Sequence, residues 1–390
     1  MSTDSKNFSV LLTLLASVIL TAQTFTLKVL DAETNKHIPK ARIIAHGEAF
    51  YTNDDGLALL PETIGSYEVS APGFQRQQVQ GKKEVIRLQP AYSEIEAIQI
   101  TPIDFRSELE YIGRKYKKLY FSKPAVYDIV FKEKNIEDSL LYLLVVAEGE
   151  LWTKSNTYNR KVGVHFIDKS LQLGFKKFNY LQFIESKKEA VEKKLFSNKS
   201  RWANLLFYHE LQNLISFINL KDTQFTTRLL SQDEEVQHIG FRAVSKRNVI
   251  LQGTFTYHRK DRVITHYQME YDQASIPAYT FTDTDETEHT VKRGNGKKAF
   301  EFYKKDGAYY PTFAAWQADA AITTDDRTHQ YILMREVIFK KARETRKPVL
   351  ENKADLNISL WNNVASAAQS SDDILLSEEE QIFINKPYEN

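Results

Sequence analysis

The sequence predicts a mainly β protein with a few helices (α+β), in which a small N-terminal β-sandwich precedes a larger curved antiparallel sheet. The first observation is composition. The 390 residues include 20 Tyr and 23 Phe but only 14 Gly, and aromatic residues favour the pleated, half-buried surface of strands. The second is pattern: short apolar–polar alternations separated by turn residues recur along most of the chain, as expected for antiparallel strands.

Charge and cysteine content exclude several classes of function. The 52 basic and 51 acidic residues give a formal net charge of +1, so we expect no nucleic-acid partner. The chain contains no cysteine. This excludes disulfides, thiolate zinc sites, iron–sulfur clusters and a cysteine nucleophile. It also excludes the cysteine that anchors bacterial lipoproteins to lipid.

The N-terminus, residues 1–22, is predicted to be a signal peptide. Residues 8–22 form one uncharged apolar run, which is short for a membrane-spanning helix but matches a signal-peptide core. Ala22 suits the last position before cleavage; an uncleaved anchor helix or a buried strand is the alternative. No later segment reaches eighteen apolar residues, so no transmembrane segment is expected after signal cleavage. We therefore expect an exported protein.

Residues 23–90 are predicted to form the small β-sandwich. The first strand alternates, with Phe25, Leu27 and Val29 on one face. Asn53 and Gly56 bound a predicted hairpin turn, because an Asn side chain can cap a turn and Gly adopts positive φ readily. Five or six short strands, each followed by turn residues, indicate a sandwich.

Five short elements follow one another in this first domain. They are Val29, Asp31 and Thr34; Ile38, Pro39 and Ala41; Thr52; Asp54, Asp55 and Gly56; and Ser70, Ala71, Pro72, Gly73 and Phe74. In this order they resemble the carboxypeptidase regulatory-like domain, with departures at Lys40 and at residues 57–59. The resemblance implies a transthyretin-like, non-catalytic accessory domain of the kind that precedes periplasmic or outer-membrane domains in exported bacterial proteins.

The rest of the chain is predicted to contain one β-rich domain and three helical stretches. Residues 91–123 form a linker and an amphipathic helix, in which Leu109, Ile112 and Tyr116 recur at helical spacing. Residues 124–345 form the β-rich domain, with a helical insertion at 183–218. Residues 346–390 form a polar C-terminal tail.

Apolar spacing and a capping residue define the two later helical stretches. The insertion carries one apolar stripe, made of Phe207, Leu211, Leu214 and Ile218. Trp202, Leu205 and Leu206 do not fall on that stripe. In the tail, Ser377 is predicted to cap a short helix.

The second domain also resembles a known fold. A helix before a strand at residues 116–133, a strand through Ala147 and Glu148, and a hairpin from Gly253 to Tyr271 are similar to the half-barrel of periplasmic lipoprotein carriers and lipoprotein-sorting proteins. This resemblance implies a curved sheet lined by Phe, Tyr and Leu that could bind an acyl chain.

No catalytic, cofactor-binding or metal-binding residue is assigned from the sequence, and no cofactor is expected. None of the nine histidines has Glu three positions later, and the serine-hydrolase elbow, P-loop and dinucleotide motifs are missing. His258 and His266 could face each other across a hairpin with Glu270 on the same face, although a solvated sheet face is the preferred interpretation. Residues 282–288 could bind Ca²⁺, although a solvated acidic loop is preferred. Gly294 and Gly296 predict a loop.

These observations predict a non-enzymatic exported envelope protein. Its second domain is expected to bind an apolar ligand, such as a lipid, or an envelope protein partner. A structural or adhesion module without a small ligand is one alternative, and a hydrolase with an unrecognised site is another. The oligomeric state is left open.

Overall fold

The computed structural model describes residues 24–91, 103–157, 169–184, 202–282, 286–346 and parts of 350–385. The predicted signal segment, the linker at 92–102 and the charged stretch at 185–201 lie outside the described residues. The chain divides into two compact units, residues 1–90 and residues 91–390.

The first unit is a sandwich of two sheets. Its strands are β1 (Thr24–Asp31), β2 (Arg42–Ala45), β3 (Glu48–Tyr51), β4 (Leu57–Pro61), β5 (Ser66–Ser70), β6 (Gln77–Gln80) and β7 (Val85–Leu88). One sheet has the order β4-β1-β7 and the other has the order β3-β2-β5-β6. Alternate residues of each strand are buried between the sheets, among them Leu27, Ile43, Leu60, Val69 and Leu88. The predicted small β-sandwich is confirmed.

The turn at Asn53 is confirmed, but the predicted hairpin is wrong. The Asn53 side-chain oxygen accepts hydrogen bonds from the backbone N–H of Asp55 at 3.0 Å and of Leu57 at 2.9 Å, and Gly56 has φ +72°. The flanking strands do not pair with each other: β3 pairs with β2, and β4 pairs with β1. The turn therefore carries the chain from one sheet to the other.

The second unit is one large antiparallel sheet with helices. Its strands are β8 (Ala125–Glu137), β9 (Leu140–Thr153), β10 (Leu171–Phe183), β11 (Gln224–Gln232), β12 (Val236–Val244), β13 (Ile250–His258), β14 (Val263–Asp272), β15 (Tyr279–Thr282), β16 (Glu288–Lys305), β17 (Ala308–Thr324) and β18 (Arg327–Glu344), and its helices are α1 (Phe105–Leu119), α2 (Phe207–Ile218) and α3 (Glu378–Asn385). The sheet order is β10-β9-β8-β18-β17-β16-β14-β13-β12-β11, and β15 pairs with β16. The predicted fold class is thus confirmed. Among the described helices, none is long and apolar enough to cross a membrane.

The two faces of the large sheet differ. We call the face that carries Phe241, Phe255 and Tyr267 the inner face, because α1 and α2 pack against it in one apolar core. The face that carries the alternate residues, such as Arg242 and Gln268, is the outer face. Each strand therefore separates an apolar set from a mostly polar set in this part of the sheet.

Helices α1 and α2 follow their predicted stripes. Leu109, Ile112 and Tyr116 of α1 are buried, as is the predicted stripe of α2. Asp104 caps α1 by accepting from the backbone N–H of Arg106 at 3.1 Å. Trp202, Leu205 and Leu206 are buried too, but α2 begins only at Phe207. Their poor fit to the stripe thus reflects a separate preceding turn.

The loop predicted at Gly294 and Gly296 is wrong. Both residues lie inside the long strand β16, where the register with β17 shifts between Arg293 and Gly296. A shift of this kind marks a β-bulge, at which Gly is common because backbone and side chains approach closely. At Gly296 the hydroxyl of Tyr271 occupies the place where a side chain would begin.

The C-terminal helix α3 packs on the outer face of the sheet. The Ser377 hydroxyl accepts from the backbone N–H of Glu380 at 3.4 Å, and the Glu380 carboxylate accepts from the backbone N–H of Ser377 at 2.9 Å. This reciprocal capping confirms the predicted cap. Leu376 and Phe383 join an apolar cluster with residues of β9, including Leu144 and Val146.

Glu380 of α3 is itself buried against the sheet. Its carboxylate lies 2.7 Å from the ammonium of Lys132 and 2.6 Å from that of Lys134. The Glu380 side chain has no exposed surface. Part of the segment predicted to be a polar tail is therefore an integral layer of the second unit.

Candidate functional site

An aromatic cluster surrounds Phe207 where α2 meets the inner face. The sequence places Phe207 in the first turn of α2. Three of its partners lie on β14 and β16, whereas Tyr116 lies in α1 and Tyr120 caps the C-terminus of α1. The distances from its ring centre to neighbouring ring centres are 5.1 Å (Phe302), 5.4 Å (Phe300), 5.6 Å (Tyr267), 5.8 Å (Tyr120) and 6.3 Å (Tyr116). Tilted rings at this spacing attract one another. The inner face can therefore enclose a large apolar group without water.

A buried ion pair lies beside this cluster. The ammonium of Lys298 on β16 donates to the carboxylate of Glu210 on α2, whose side chain is 1% exposed. The Tyr267 hydroxyl donates to the same carboxylate at 3.3 Å. Burial, followed by the nearby charge of Glu210, holds the pKa of Tyr267 well above its ordinary value, so Tyr267 is a neutral donor. This polar contact links α2 to the sheet, whereas the other buried residues of α2 that the structure describes are apolar.

Neither Glu210 nor Lys298 was predicted from the sequence to be a site residue, but the sequence carries a signal for each. Glu210 follows Phe207 by three positions and precedes Leu214 by four, so it lies on the apolar stripe of α2. Lys298 alternates with Phe300 and therefore shares its face of the strand. A charged residue on each of two apolar faces indicates a buried pair.

Helix α1 is held at the β13–β14 turn. The guanidinium of Arg262 binds the carboxylate of Glu108, which also accepts from the Tyr257 hydroxyl at 2.8 Å. The same guanidinium lies 3.6 Å from the centre of the Tyr111 ring, a cation–π contact. These contacts fix α1 from one end of the hairpin that the sequence predicted.

The two helices approach each other closely at Gly113. A β-carbon at this position would lie 2.8 Å from Cδ1 of Ile215 and 3.0 Å from Nε2 of Gln212. Arg106 of α1 also donates to the side-chain oxygen of Asn219, just after α2, at 2.9 Å. The helices therefore form one layer over the inner face.

His258 and His266, which the sequence placed opposite each other, do not face one another. His258 lies opposite Val263 and His266 opposite Thr256 in the ladder. His266 lies 3.4 Å from the carboxylate of Glu301. Glu270 alternates onto the same face of β14 as His266, as predicted, and pairs with Lys297 at 3.0 Å. The three residues that the sequence suggested as a group thus belong to separate contacts.

Asp261 forms several polar contacts at the β13–β14 turn. Its carboxylate lies 2.5 Å from the Lys304 ammonium, 2.5 Å from the Tyr309 hydroxyl and 3.6 Å from Nδ1 of His258. Burial alone would raise the pKa of Asp261, but the hydrogen bonds from Lys304 and Tyr309 outweigh it and leave that pKa below its ordinary value. Asp261 is therefore ionised at neutral pH and serves as an anchor for the turn.

Among the residues that the structure describes, one group of side chains has ligand atoms close enough to hold a metal ion. Nδ1 of His329 lies 3.2 Å from the carboxylate of Glu137 and 2.7 Å from that of Asp138. The Asp138 carboxylate also accepts from the backbone N–H of Gln330 at 2.8 Å. The hydrogen bonds and charges within this group account for its geometry. The acidic segment at 282–288 is described only in part, because residues 283–285 lie outside the described residues.

Comparison with known proteins gives limited similarity. No protein-family model matches the sequence, and no curated protein matches it. A LolA superfamily protein from Nitrosomonas europaea is 11% identical, with a TM-score of 0.21, covering 62% of this chain and 94% of its own. A protein from Bacteroides fragilis, described as membrane-associated and of unknown function, is 9% identical, with a TM-score of 0.15, covering 82% of this chain and 97% of its own.

TM-scores of this size carry no conclusion about ligand or activity. The predicted resemblance of the second domain to periplasmic lipoprotein carriers therefore stays a prediction. The resemblance of the first unit to the carboxypeptidase regulatory-like domain is not addressed by either structure and stays a prediction.

Proposed function

We propose that this chain is an exported, non-enzymatic envelope protein that binds an apolar ligand on its inner face, at the place that α2 fills here. The observation that carries the proposal is the aromatic cluster around Phe207. A fatty acyl chain of a lipid fits such a surface, because transfer of apolar groups from water to an enclosed aromatic pocket is favourable. Export and the accessory role of the first unit remain part of the proposal.

The nature of the contact between α2 and the sheet supports a mechanism in which the ligand displaces the helix from the inner face. Its inward residues are apolar, except for Glu210. A buried ion pair contributes little net stability relative to an apolar pair, because both charges lose their hydration. The contact between α2 and the sheet is therefore weaker than the amount of buried apolar surface suggests. An acyl chain could replace the apolar contacts of Phe207 and Leu211 when α2 moves outward.

The direct test is binding of a fluorescent fatty acid to the delipidated protein, with mass spectrometry of lipids that co-purify. Two variants at the same site make opposite predictions. Glu210→Ala leaves Lys298 buried without its partner, so α2 detaches more easily and affinity rises. Glu210→Met with Lys298→Met replaces the ion pair by an apolar contact, so α2 binds more tightly and affinity falls.

The matched control is Arg247→Ala, a change at an exposed position in the β12–β13 turn, which leaves the affinity unchanged. No co-purifying lipid together with no fatty-acid binding by any of the proteins would refute the proposal. A stable protein partner recovered from envelope fractions under those conditions would favour the structural or adhesion role instead.

A further inference from the structure

A groove of about 620 Å³, lined mostly by polar residues, lies on the outer face of the large sheet, across β11 to β14. This volume is within the range of small-molecule sites. Its lining includes the outward-pointing side chains of Thr226, Arg228, Arg242, Gln252, Thr254 and Gln268. The groove and the aromatic cluster are on opposite faces of the sheet, so ligand binding in the groove is independent of the proposed function.

Gly240 shapes the middle of the groove. In the ladder it lies opposite Arg228 on one side and Thr254 on the other. A β-carbon at Gly240 would lie 3.2 Å from Cγ and 3.2 Å from Nε of Arg228. The Arg228 side chain therefore lies across the bare backbone of Gly240, which directs its guanidinium along the sheet surface.

The two arginines of the groove differ from others on the same sheet. Arg262, Arg335 and Arg343 each form an ion pair with a glutamate. Within the described part of the chain, the guanidinium groups of Arg228 and Arg242 have neither a hydrogen bond nor an ion pair. The acidic residue of the lining, Glu270, is already paired with Lys297 at 3.0 Å. The groove therefore has an uncompensated positive charge.

The positions of the two arginines suit a shared anion. Arg242 lies opposite Thr226, two residues before Arg228 on β11, so the two arginines are diagonal neighbours. Cα atoms in that relationship are roughly 7–8 Å apart, within the reach of two long side chains that bind one group. Like charges at this spacing repel each other, and a bound anion would remove the repulsion.

We propose that this groove binds a hydroxylated oxyanion of about monosaccharide size, either a sugar acid or a sugar phosphate. Guanidinium groups bind carboxylate and phosphate through paired hydrogen bonds. The hydroxyls of Thr226 and Thr254 and the amides of Gln252 and Gln268 provide both donors and acceptors, which match the hydroxyls of a sugar.

Isothermal titration calorimetry of the full chain with D-glucuronate, glucose 6-phosphate, glucose and inorganic phosphate tests the site. At least one charged sugar should bind, with an affinity tenfold or more above that of both glucose and inorganic phosphate. Binding of glucuronate alone identifies a carboxylate ligand, and binding of glucose 6-phosphate alone identifies a phosphate ligand.

Three variants and a control locate the binding. Arg228→Ala and Arg242→Ala should each lower the affinity at least tenfold, and Gly240→Ala should lower it by displacing Arg228. Arg247→Ala removes an exposed arginine outside the groove and should have no effect. Unchanged circular dichroism shows that each variant folds. The proposal is overturned if neither charged sugar binds, if glucose or inorganic phosphate binds equally well, or if binding survives the loss of both groove arginines.

Discussion

Lys298 on β16 donates to the carboxylate of Glu210 on α2, and both side chains are almost fully removed from water. The two residues are 88 positions apart in the chain. Their contact therefore requires both the complete sheet and the docked helix. Glu210 is the charged residue among the buried residues described on α2, and the others are apolar.

Replacing one member of this pair should destabilise the second unit much more than replacing both. Lys298→Met leaves a buried, uncompensated Glu210 carboxylate and should cost about 3–5 kcal/mol of unfolding free energy. Glu210→Met with Lys298→Met should be neutral or stabilising by about 1–4 kcal/mol. All four Trp residues, at 152, 202, 316 and 361, lie in the second unit, so urea unfolding followed by Trp fluorescence reports on that unit alone. Equal losses in the single and double variants would contradict this account.

Elements defined by local periodicity or capping were predictable from the sequence. The stripe of α2, the stripe of α1 and the cap at Ser377 each depend on residues within two or three turns of one another. The turn at Asn53 was predictable for the same reason, because its side chain bonds to backbone only two and four positions ahead.

Features that depend on distant partners were not predictable. The turn at Asn53 does not determine whether the strands that it joins pair with each other, and here they join different sheets. The docking of α3 depends on Lys132, which is 248 positions from Glu380. In the sequence, Gly294 and Gly296 are compatible with either a loop or a β-bulge. Only the Tyr271 side chain on the neighbouring strand, which packs against Gly296, distinguishes the two possibilities.

Gly113→Ala should move α1 and α2 apart. The added methyl group would meet Cδ1 of Ile215 at 2.8 Å. Overpacking typically costs about 1–3 kcal/mol, whereas Ala in place of Gly favours a helix by up to about 1 kcal/mol. We expect a net loss in the free energy of unfolding, measured by Trp fluorescence in urea.

The control for Gly113→Ala is the same change in an Ile215→Val background. Val lacks the Cδ1 atom that causes the clash, while the flexible end of Gln212 can move aside. In that background Gly113→Ala should stabilise the protein relative to Ile215→Val alone. If the substitution has the same effect in both backgrounds, the close approach at Gly113 is not what sets the helix spacing.

Thr52→Val should destabilise the first unit. The buried Thr52 hydroxyl donates to the backbone oxygen of Ile38 at 2.8 Å and accepts from the backbone N–H of Ala41 at 2.8 Å. Valine has nearly the same shape but leaves both backbone groups without this partner, which should cost about 1–3 kcal/mol. In Thr52→Val, hydrogen exchange of the backbone amides should increase across β2 and β3. The control is Thr34→Val, a change at an exposed position, which should leave this exchange unchanged. Unchanged protection in Thr52→Val would show that water replaces the hydroxyl without loss.

Acid should detach α3 from the sheet before the sheet unfolds. Burial alone would raise the pKa of Glu380, but the charges of Lys132 and Lys134 outweigh it and leave that pKa below its ordinary value. The detached helix therefore takes up a proton more readily than the docked one. The stabilisation is complete at neutral pH, begins to fall near the ordinary glutamate pKa of about 4.3, and is lost as pH drops through the lower pKa of the docked state.

The absence of cysteine from the chain makes this detachment simple to follow. Ile382 is 54% exposed on α3, so a fluorophore on Ile382→Cys reports the anisotropy of the helix without perturbing its contact with the sheet. Anisotropy should fall on acidification while Trp fluorescence still shows a folded sheet. Glu380→Gln leaves two lysines without their counter-charge, so its anisotropy should already be low at neutral pH and should not change with acid. A constant anisotropy in the parent protein down to the pH of unfolding would mean that the apolar contacts of Leu376 and Phe383 hold α3 without the ion pairs.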